Sequence, residues 1–215
     1  MTAIISRGAF PFAPKPTADD PELFRCVAGA PDAAVELARE FDALARAQAD
    51  GDENLSEKGR AKKRRELARG VAADISRMQQ MLDHAARAIG AEAAEVKKAI
   101  DAATTPDAAE AALAVETRNV LRNMSDERRR QVVLDAIKNR NTTLLRAIVG
   151  ALPEASGLVN AKGGLHAMAR DALVAAAVQP DALARLDRHR RMLDAGRRGL
   201  DTLRAFVDRR IGKTD

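Results

Sequence analysis

The stretch DRHRRML DAGRRGL DTLRAFV DRRIGKT, residues 187–214, repeats in sevens and decides the fold class. Apolar residues recur with the same period at Leu186, Leu193, Leu200 and Val207. Such a spacing is typical of a helix that packs on another helix. It predicts a long helix over 180–210, with these four residues as its candidate seam. Gly196 and Gly199 would let a neighbouring helix approach closely.

A second apolar series of this kind lies in a predicted long helix over 57–89. Its members, at steps of four and three, are Val71, Ile75, Met78, Leu82, Ala85 and Ile89. Ser56 is the predicted N-cap, and Gly90 the predicted end. Shorter helices are predicted over 31–48, 91–103, 106–124 (capped by Thr105), 126–139, 142–151 and 161–178. The predicted fold class is therefore all-α, a multi-helix bundle with coiled-coil-like seams and two long helices.

Residues 1–30 are predicted to form an extended N-terminal arm. Each of its prolines removes an amide donor and disfavours helix in the residue before it: Pro11, Pro14, Pro16 and Pro21. Phe10, Phe12 and Phe24 are candidate anchors, because a disordered tail usually lacks aromatics. They pack either on the chain's own helices or on a neighbouring subunit. The bundle would then cover 31–215, with a further boundary near residue 90 or within 152–160.

Composition excludes several classes of protein. Hydrophobic residues make up 46% of the chain but aromatics only 2%, which indicates a core of Ala, Leu, Val, Ile and Met. A single cysteine, Cys26, excludes an intrachain disulfide and a cysteine-based zinc site. No signal peptide and no apolar run of about 20 residues is present, so we expect neither secretion by that route nor a membrane span.

No residue pattern predicts catalysis. None of His84, His166 and His189 has a second histidine or a cysteine at ligand spacing. Glu92 and Glu95 are interpreted as acids near a helix start, where the dipole favours them. We therefore expect no enzyme activity, and no catalytic, cofactor-binding or metal-binding residues. No cofactor and no small-molecule substrate is indicated.

The strongest charged feature is a basic run that opens the helix at 57–89. It consists of Lys58, Arg60, Lys62, Lys63, Arg64, Arg65 and Arg69. Three interpretations stay open: a solvated helix start, a contact with an acidic protein surface, or a contact with nucleic-acid phosphates. The acidic surface could be residues 18–56, which hold ten acids and three bases, in the same chain or in another copy. Arg128–Arg130 and Arg188–Arg191 could extend the patch.

Two stretches carry a resemblance to a family. LSEKGRAKKRREL, residues 55–67, opens a long helix after a polar turn. AIKNRNTTLLRAIVGALPEASGL, residues 136–158, reads as two short helices separated by a polar break, then a proline-containing turn. Together they resemble helical proteins of unassigned role that tailed bacteriophages and prophages encode among their structural genes. The resemblance covers about a sixth of the chain and implies an association with virion structure or assembly.

These patterns lead to a functional hypothesis and two alternatives. The hypothesis is a non-enzymatic structural or assembly protein that acts through contacts with itself, as an oligomer, or with other virion proteins. It would reside in the host cytoplasm during assembly and could be incorporated in the virion. The alternative is a nucleic-acid-binding accessory protein that uses the basic helix 57–69 on the phosphate backbone. An adaptor or anti-repressor is a third, which the sequence does not separate from the first.

Overall fold

The computed structural model describes residues 14–158 and 164–212, and these ranges contain seven α-helices and no strand. The helices are α1 (Glu22–Ala45), α2 (Glu57–Thr104), α3 (Ala108–Arg122), α4 (Asp126–Lys138), α5 (Thr142–Val149), α6 (Leu165–Ala177) and α7 (Pro180–Arg210). A π-helical turn, Arg46–Asp50, follows α1, and a 3-10 helix, Pro153–Ser156, follows α5. The predicted all-α class with long helices is confirmed. No helix in the described ranges combines the length and apolar character that a bilayer crossing requires.

The chain divides into two compact units. The first consists of Met1–Ala91 together with Leu186–Asp215, and the second of Glu92–Arg185. The first division lies beside the boundary that the sequence suggested near residue 90. Residues 152–160, the other suggested boundary, lie inside the second unit.

The core of the first unit is formed by the two apolar seams and α1. All four seam residues of α7, Leu186, Leu193, Leu200 and Val207, are buried. The α2 series is buried at every position except Ile75, which is half-buried. Phe41 of α1 is also fully buried and meets Phe206 of α7 edge-on, with ring centroids 6.5 Å apart. Both seams therefore serve the core of this unit rather than an outer face.

Two glycines allow α7 to approach α1 and α2 closely. A Cβ at Gly196 would lie 2.7 Å from Leu82 Cδ2, and a Cβ at Gly199 would lie 3.0 Å from Pro31 Cα. Both distances are shorter than ordinary carbon contacts, so a side chain at Gly196 would displace the Leu82 side chain and one at Gly199 would press on the backbone of α1. The close approach predicted from the two glycines is thus present, at the point where α1 contains its proline.

The second unit has a core of its own around α5 and α6. Its buried residues are Leu121, Val133, Ala136, Leu145, Ile148, Leu158, Leu165, Ala169 and Leu173. Arginine side chains satisfy carbonyls at helix ends: Arg146 Nε donates to Ala103 O of α2 at 3.1 Å, and Arg118 donates to Ala147 O of α5 at 2.8 Å. These bonds supply partners that a helix end cannot find within itself.

The arm predicted over 1–30 extends too far and the predicted start of the first helix is wrong, although residues 14–21 form no helix, as expected of the arm. Helix α1 begins at Glu22, so residues 22–30 are helical, and Pro31 lies inside the helix and is buried. An interior proline removes one backbone hydrogen bond and clashes with the preceding turn. Here the burial of neighbours such as Val27 and Ala34 offsets that cost. Residues 1–13, with Phe10 and Phe12, lie outside the described ranges.

The predicted end of the long helix at Gly90 is also wrong. Helix α2 continues through Gly90 to Thr104 and absorbs the helix predicted over 91–103. Glycine costs a helix interior only about 1 kcal/mol relative to alanine, and the alanines and charged residues on either side favour helix. Gly90 is not among the glycines with positive φ, so it does not form a helix-ending turn.

Other helix ends follow local capping chemistry. Ser125 and Asn141 accept hydrogen bonds from the amides of Arg128 and Leu144, as expected of N-caps. The cap of α3 is Asp107 rather than the predicted Thr105, because Asp107 and Glu110 form a reciprocal capping box. Helix α6 begins at Leu165, after Gly164 in the left-handed conformation. The predicted start at 161 lies outside the described residues.

Candidate interaction surface

Helix geometry divides the basic run at the start of α2 into two groups. The Ser56 hydroxyl accepts a hydrogen bond from the Gly59 amide at 3.2 Å, so the predicted cap is present. One group follows at steps of four, three and four residues and consists of Lys58, Lys62, Arg65 and Arg69. Steps of three and four place residues on one face of a helix. We call these four residues the basic stripe.

The basic stripe is exposed and has no partner in the part of the chain that the structure describes. All four side chains are exposed, and none forms a hydrogen bond or ion pair with another residue in 14–158 or 164–212. At 1.5 Å of rise per residue the stripe extends about 16 Å along α2. Four like charges are therefore presented in a row on a rigid element.

The other three cations of the run are engaged within the chain. Arg64 donates to Asp50 Oδ1 through Nε at 2.8 Å and through a terminal nitrogen at 2.6 Å. Arg60 is half-buried and donates to the Asp52 carbonyl at 3.4 Å. The Lys63 amine lies 3.9 Å from Glu66, and both side chains are partly exposed. Arg64 and Arg60 thus stabilise the turn before α2 rather than offering their charge to a ligand.

Two aspartates in the acidic front of the chain are paired with its own arginines. Arg210 of α7 contacts Asp42 at 2.6 Å and Asp50 at 3.4 Å. Asp42 also pairs with Arg46, and Asp50 with Arg64. Three arginines and two aspartates thereby link α1, the π-helical turn, α2 and α7. The predicted attraction between the acidic segment and basic residues therefore occurs within one chain.

A groove with a volume of about 360 Å³ lies next to the basic stripe, between α2 and α7. Its apolar lining residues are Ala68, Ala72, Ile75, Val207 and Ile211, and its charged ones are Arg65, Arg69, Arg204 and Asp208. Arg65 and Arg69 belong to both the stripe and the groove. Arg204 donates to Gln79 Oε1 at 3.0 Å. The groove therefore combines an apolar surface with an excess of positive charge.

Sequence reasoning missed a buried polar cluster that joins the start of α1 to α7. Asp20 accepts hydrogen bonds from the Thr17 amide at 2.7 Å and from Arg188 at 2.7 Å, and its Oδ1 lies 3.0 Å from His189 Nε2. Burial alone would raise the pKa of Asp20, but the hydrogen bonds from Arg188, Thr17 and His189 outweigh it and hold this pKa well below its usual range. Residues 168 positions apart give no local signal of such a cluster.

The same cluster holds one of the predicted arm anchors. Phe24 is buried within α1, and its ring stacks on His189 with centroids 3.7 Å apart and planes 5° apart. The anchor therefore packs on the chain's own α7, the first of the two predicted alternatives. His189 itself is buried in this packing, and its position between Asp20 and Phe24 is structural.

Both clusters suggested as extensions of the patch are partly engaged within the chain. Arg129 is buried and donates to the carbonyls of Leu121, Met124 and Gly157 at 2.8, 2.7 and 2.7 Å. It therefore caps the end of α3, while its neighbours Arg128 and Arg130 are exposed. Arg188 belongs to the Asp20 cluster, and Arg191 pairs with Asp187 at 2.5 Å.

The remaining chemistry-bearing residues are scattered. His84 and Cys26 are exposed, and His166 Nε2 lies 3.1 Å from the Ala151 carbonyl. Glu92 lies in the middle of α2, not near a helix start, and its carboxylate is 2.9 Å from Arg185 Nε. Among the residues that the structure describes, no three histidines, cysteines or acids are grouped so that they could hold a metal ion.

Comparison with known proteins adds no relative. No family model, no curated protein and no solved structure matches this chain.

Proposed function

We propose that this chain is a non-enzymatic helical assembly protein that acts through contacts with other macromolecules, and that the basic stripe is its contact surface. The observation that carries the proposal is the exposure of Lys58, Lys62, Arg65 and Arg69 without partners among the described residues, although the same helix start uses Arg64 in an ion pair. A virion-associated role is part of the proposal and is supported by the resemblance of residues 55–67 and 136–158 to phage proteins.

The experiment that tests this proposal is a comparison of two variants with equal loss of charge. One replaces the four stripe cations with Gln, and the other replaces four exposed arginines elsewhere, namely Arg128, Arg130, Arg190 and Arg197. Binding to labelled acidic peptides and to a labelled DNA duplex would be followed by fluorescence anisotropy. We expect binding that only the stripe variant loses. Equal loss of binding in both variants would show that net charge alone causes the binding, and this would contradict the proposal.

A nucleic-acid accessory protein is the second candidate, favoured by the linear arrangement of the stripe. A row of four cations over about 16 Å can follow a duplex backbone, which carries one charge per about 1.7 Å of axis. Neutralising four phosphates gives a slope of log K against log salt of about −3.6. A measured slope near this value, reduced by about 0.9 for each stripe cation removed, would favour this candidate. The absence of Trp and Tyr from the chain leaves single-stranded bases no aromatic platform of those types.

A further inference from the structure

We propose that the groove between α2 and α7 binds an acidic peptide segment of a partner protein, with an apolar side chain in the groove and carboxylates against Arg65 and Arg69. This inference rests on the proposed function and names the chemistry of the partner. The two arginines line the groove and also form the last two positions of the basic stripe. A ligand that contacts the stripe therefore reaches the groove without leaving α2.

The apolar lining favours a protein over a nucleic acid. Ala68, Ala72 and Ile75 line the groove from α2, and Val207 and Ile211 line it from α7. Burying an aliphatic side chain against such a surface removes apolar area from water. A sugar–phosphate backbone has no aliphatic side chain to insert. A bound phosphate would contact the arginines and leave the apolar half of the groove exposed to water.

The charges of the groove determine which charge its ligand carries and along which helix the charged groups of the ligand lie. Three arginines and one aspartate line it, so the local balance favours a negative partner. Arg65 and Arg69 have no partner in the described residues, whereas Arg204 is bonded to Gln79. Asp208 repels carboxylates from the α7 side. The acidic groups of the partner are therefore expected to lie along α2.

The acids of this chain that are held in ion pairs are poor occupants of the groove. Asp42 and Asp50, in the acidic front, are already in ion pairs with Arg210 and other arginines of the same chain. A second copy could therefore offer only its other acids, such as Glu22 and Glu40, which are exposed. The first thirteen residues contain Arg7 and no acidic residue, so their charge does not complement the groove either. The occupant that this inference names is a separate acidic protein, whose carboxylates complement the excess of arginine in the groove.

The test uses two labelled peptides of equal length and charge, with leucines between the glutamates of one and serines at the same positions of the other. A labelled DNA duplex is the third probe. We expect the full-length protein to bind the leucine peptide at least about tenfold more tightly than the serine peptide, a difference of about 1.4 kcal/mol. Replacing Arg65 and Arg69 with Gln should weaken binding of both peptides.

A pair of matched variants isolates the groove from the charge. Ala72→Leu fills the groove from an exposed position, while Ala73→Leu adds the same side chain at an exposed neighbour that does not line it. We expect Ala72→Leu to abolish the preference for the leucine peptide and to leave binding of the serine peptide unchanged. Ala73→Leu should bind like the unmodified protein. Thermal melts of both variants verify that each is folded.

The failure of this inference is distinguishable from the failure of the proposed function. Stripe-dependent binding of all acidic probes without a preference for leucine, or a preference that survives Ala72→Leu, would overturn the groove as the binding site. Stripe-dependent binding of DNA alone would overturn it in favour of the nucleic-acid candidate. If replacing the four stripe cations left the binding of every probe unchanged, both the groove inference and the proposed function would be overturned.

Discussion

At the scale of single residues, the backbone of Arg140 is in a conformation that suits glycine. Its φ is 51°, in the left-handed region. The Asn141 amide donates to the Ala136 carbonyl at 2.9 Å, and the Arg140 amide to the Ile137 carbonyl at 3.2 Å. These two bonds form the Schellman motif, whose left-handed position is usually glycine. Helix α4 therefore ends at an arginine that bears a steric cost.

Replacing Arg140 with glycine should stabilise the protein. The left-handed conformation costs an L-residue about 1–2 kcal/mol, so we expect Arg140→Gly to raise the free energy of unfolding by about 1 kcal/mol. Urea denaturation followed by circular dichroism measures the change. Asn139→Gly is the control, because Asn139 has a φ of −88° and glycine relieves nothing there. A gain of equal size in the control would show that the φ of Arg140 is not the cause.

Asp20 supplies a pH-dependent part of the stability. Its pKa in the folded protein lies well below the ordinary value of about 3.9, because its hydrogen bonds outweigh the effect of burial. A depressed pKa contributes stability above the unfolded pKa, and that contribution is lost as the pH falls towards the folded one. We expect Asp20→Asn to cost about 2 kcal/mol near neutral pH and progressively less below about pH 4.

The measurement is the free energy of unfolding of both proteins between neutral pH and the lowest pH at which the protein remains folded. Asp19→Asn is the matched control, since Asp19 is exposed and adjacent. Its effect should be small at every pH. If the free energies of unfolding of the Asp20 variant and the unmodified protein differed by the same amount at every pH, the role of the Asp20 charge would be contradicted.

At the scale of helices, the same glycine-to-alanine change is expected to have opposite effects at two positions. A Cβ at Gly90 of α2 would meet nothing within 4 Å, whereas a Cβ at Gly199 of α7 would lie 3.0 Å from Pro31 Cα. Gly90→Ala should stabilise the protein by about 1 kcal/mol through helix propensity. Gly199→Ala should destabilise it, because overpacking costs about 1–3 kcal/mol. Thermal melts of both variants measure the signs, and two changes of the same sign would contradict the close packing of α7.

Some helix ends were predictable because a local side chain determines them, although the capping box at Asp107 was missed. The predicted cap Ser56 bonds the amide of its own next turn, so sequence alone was sufficient there. Pro31 and Gly90 were misleading as helix boundaries. At Pro31 the cost to the helix is outweighed by long-range packing, and at Gly90 it is outweighed by helix-favouring neighbours. The stripe could be predicted by its spacing alone. The ion pair between Arg64 and Asp50 could not be predicted, because Asp50 reaches Arg64 only through the fold of the intervening turn.

At the scale of the whole molecule, each unit is organised around its own buried residues. Leu82, fully buried, belongs to the first unit, and Leu145, 2% exposed, to the second. The second unit is one continuous segment, Glu92–Arg185, with a buried cluster drawn from α3, α4, α5 and α6. A continuous segment with its own core has the properties expected of an independently folding domain.

We therefore expect residues 92–185, expressed alone, to fold cooperatively. Circular dichroism should show a helical spectrum, and urea should unfold the fragment in a single transition. Leu145→Ala in this fragment should lower the free energy of unfolding by about 2–5 kcal/mol, because it leaves a cavity in the core. In the full chain the same change should destabilise the second unit, and Leu82→Ala the first. A fragment without a cooperative transition would mean that the second unit needs Met1–Ala91 and Leu186–Asp215 in order to fold.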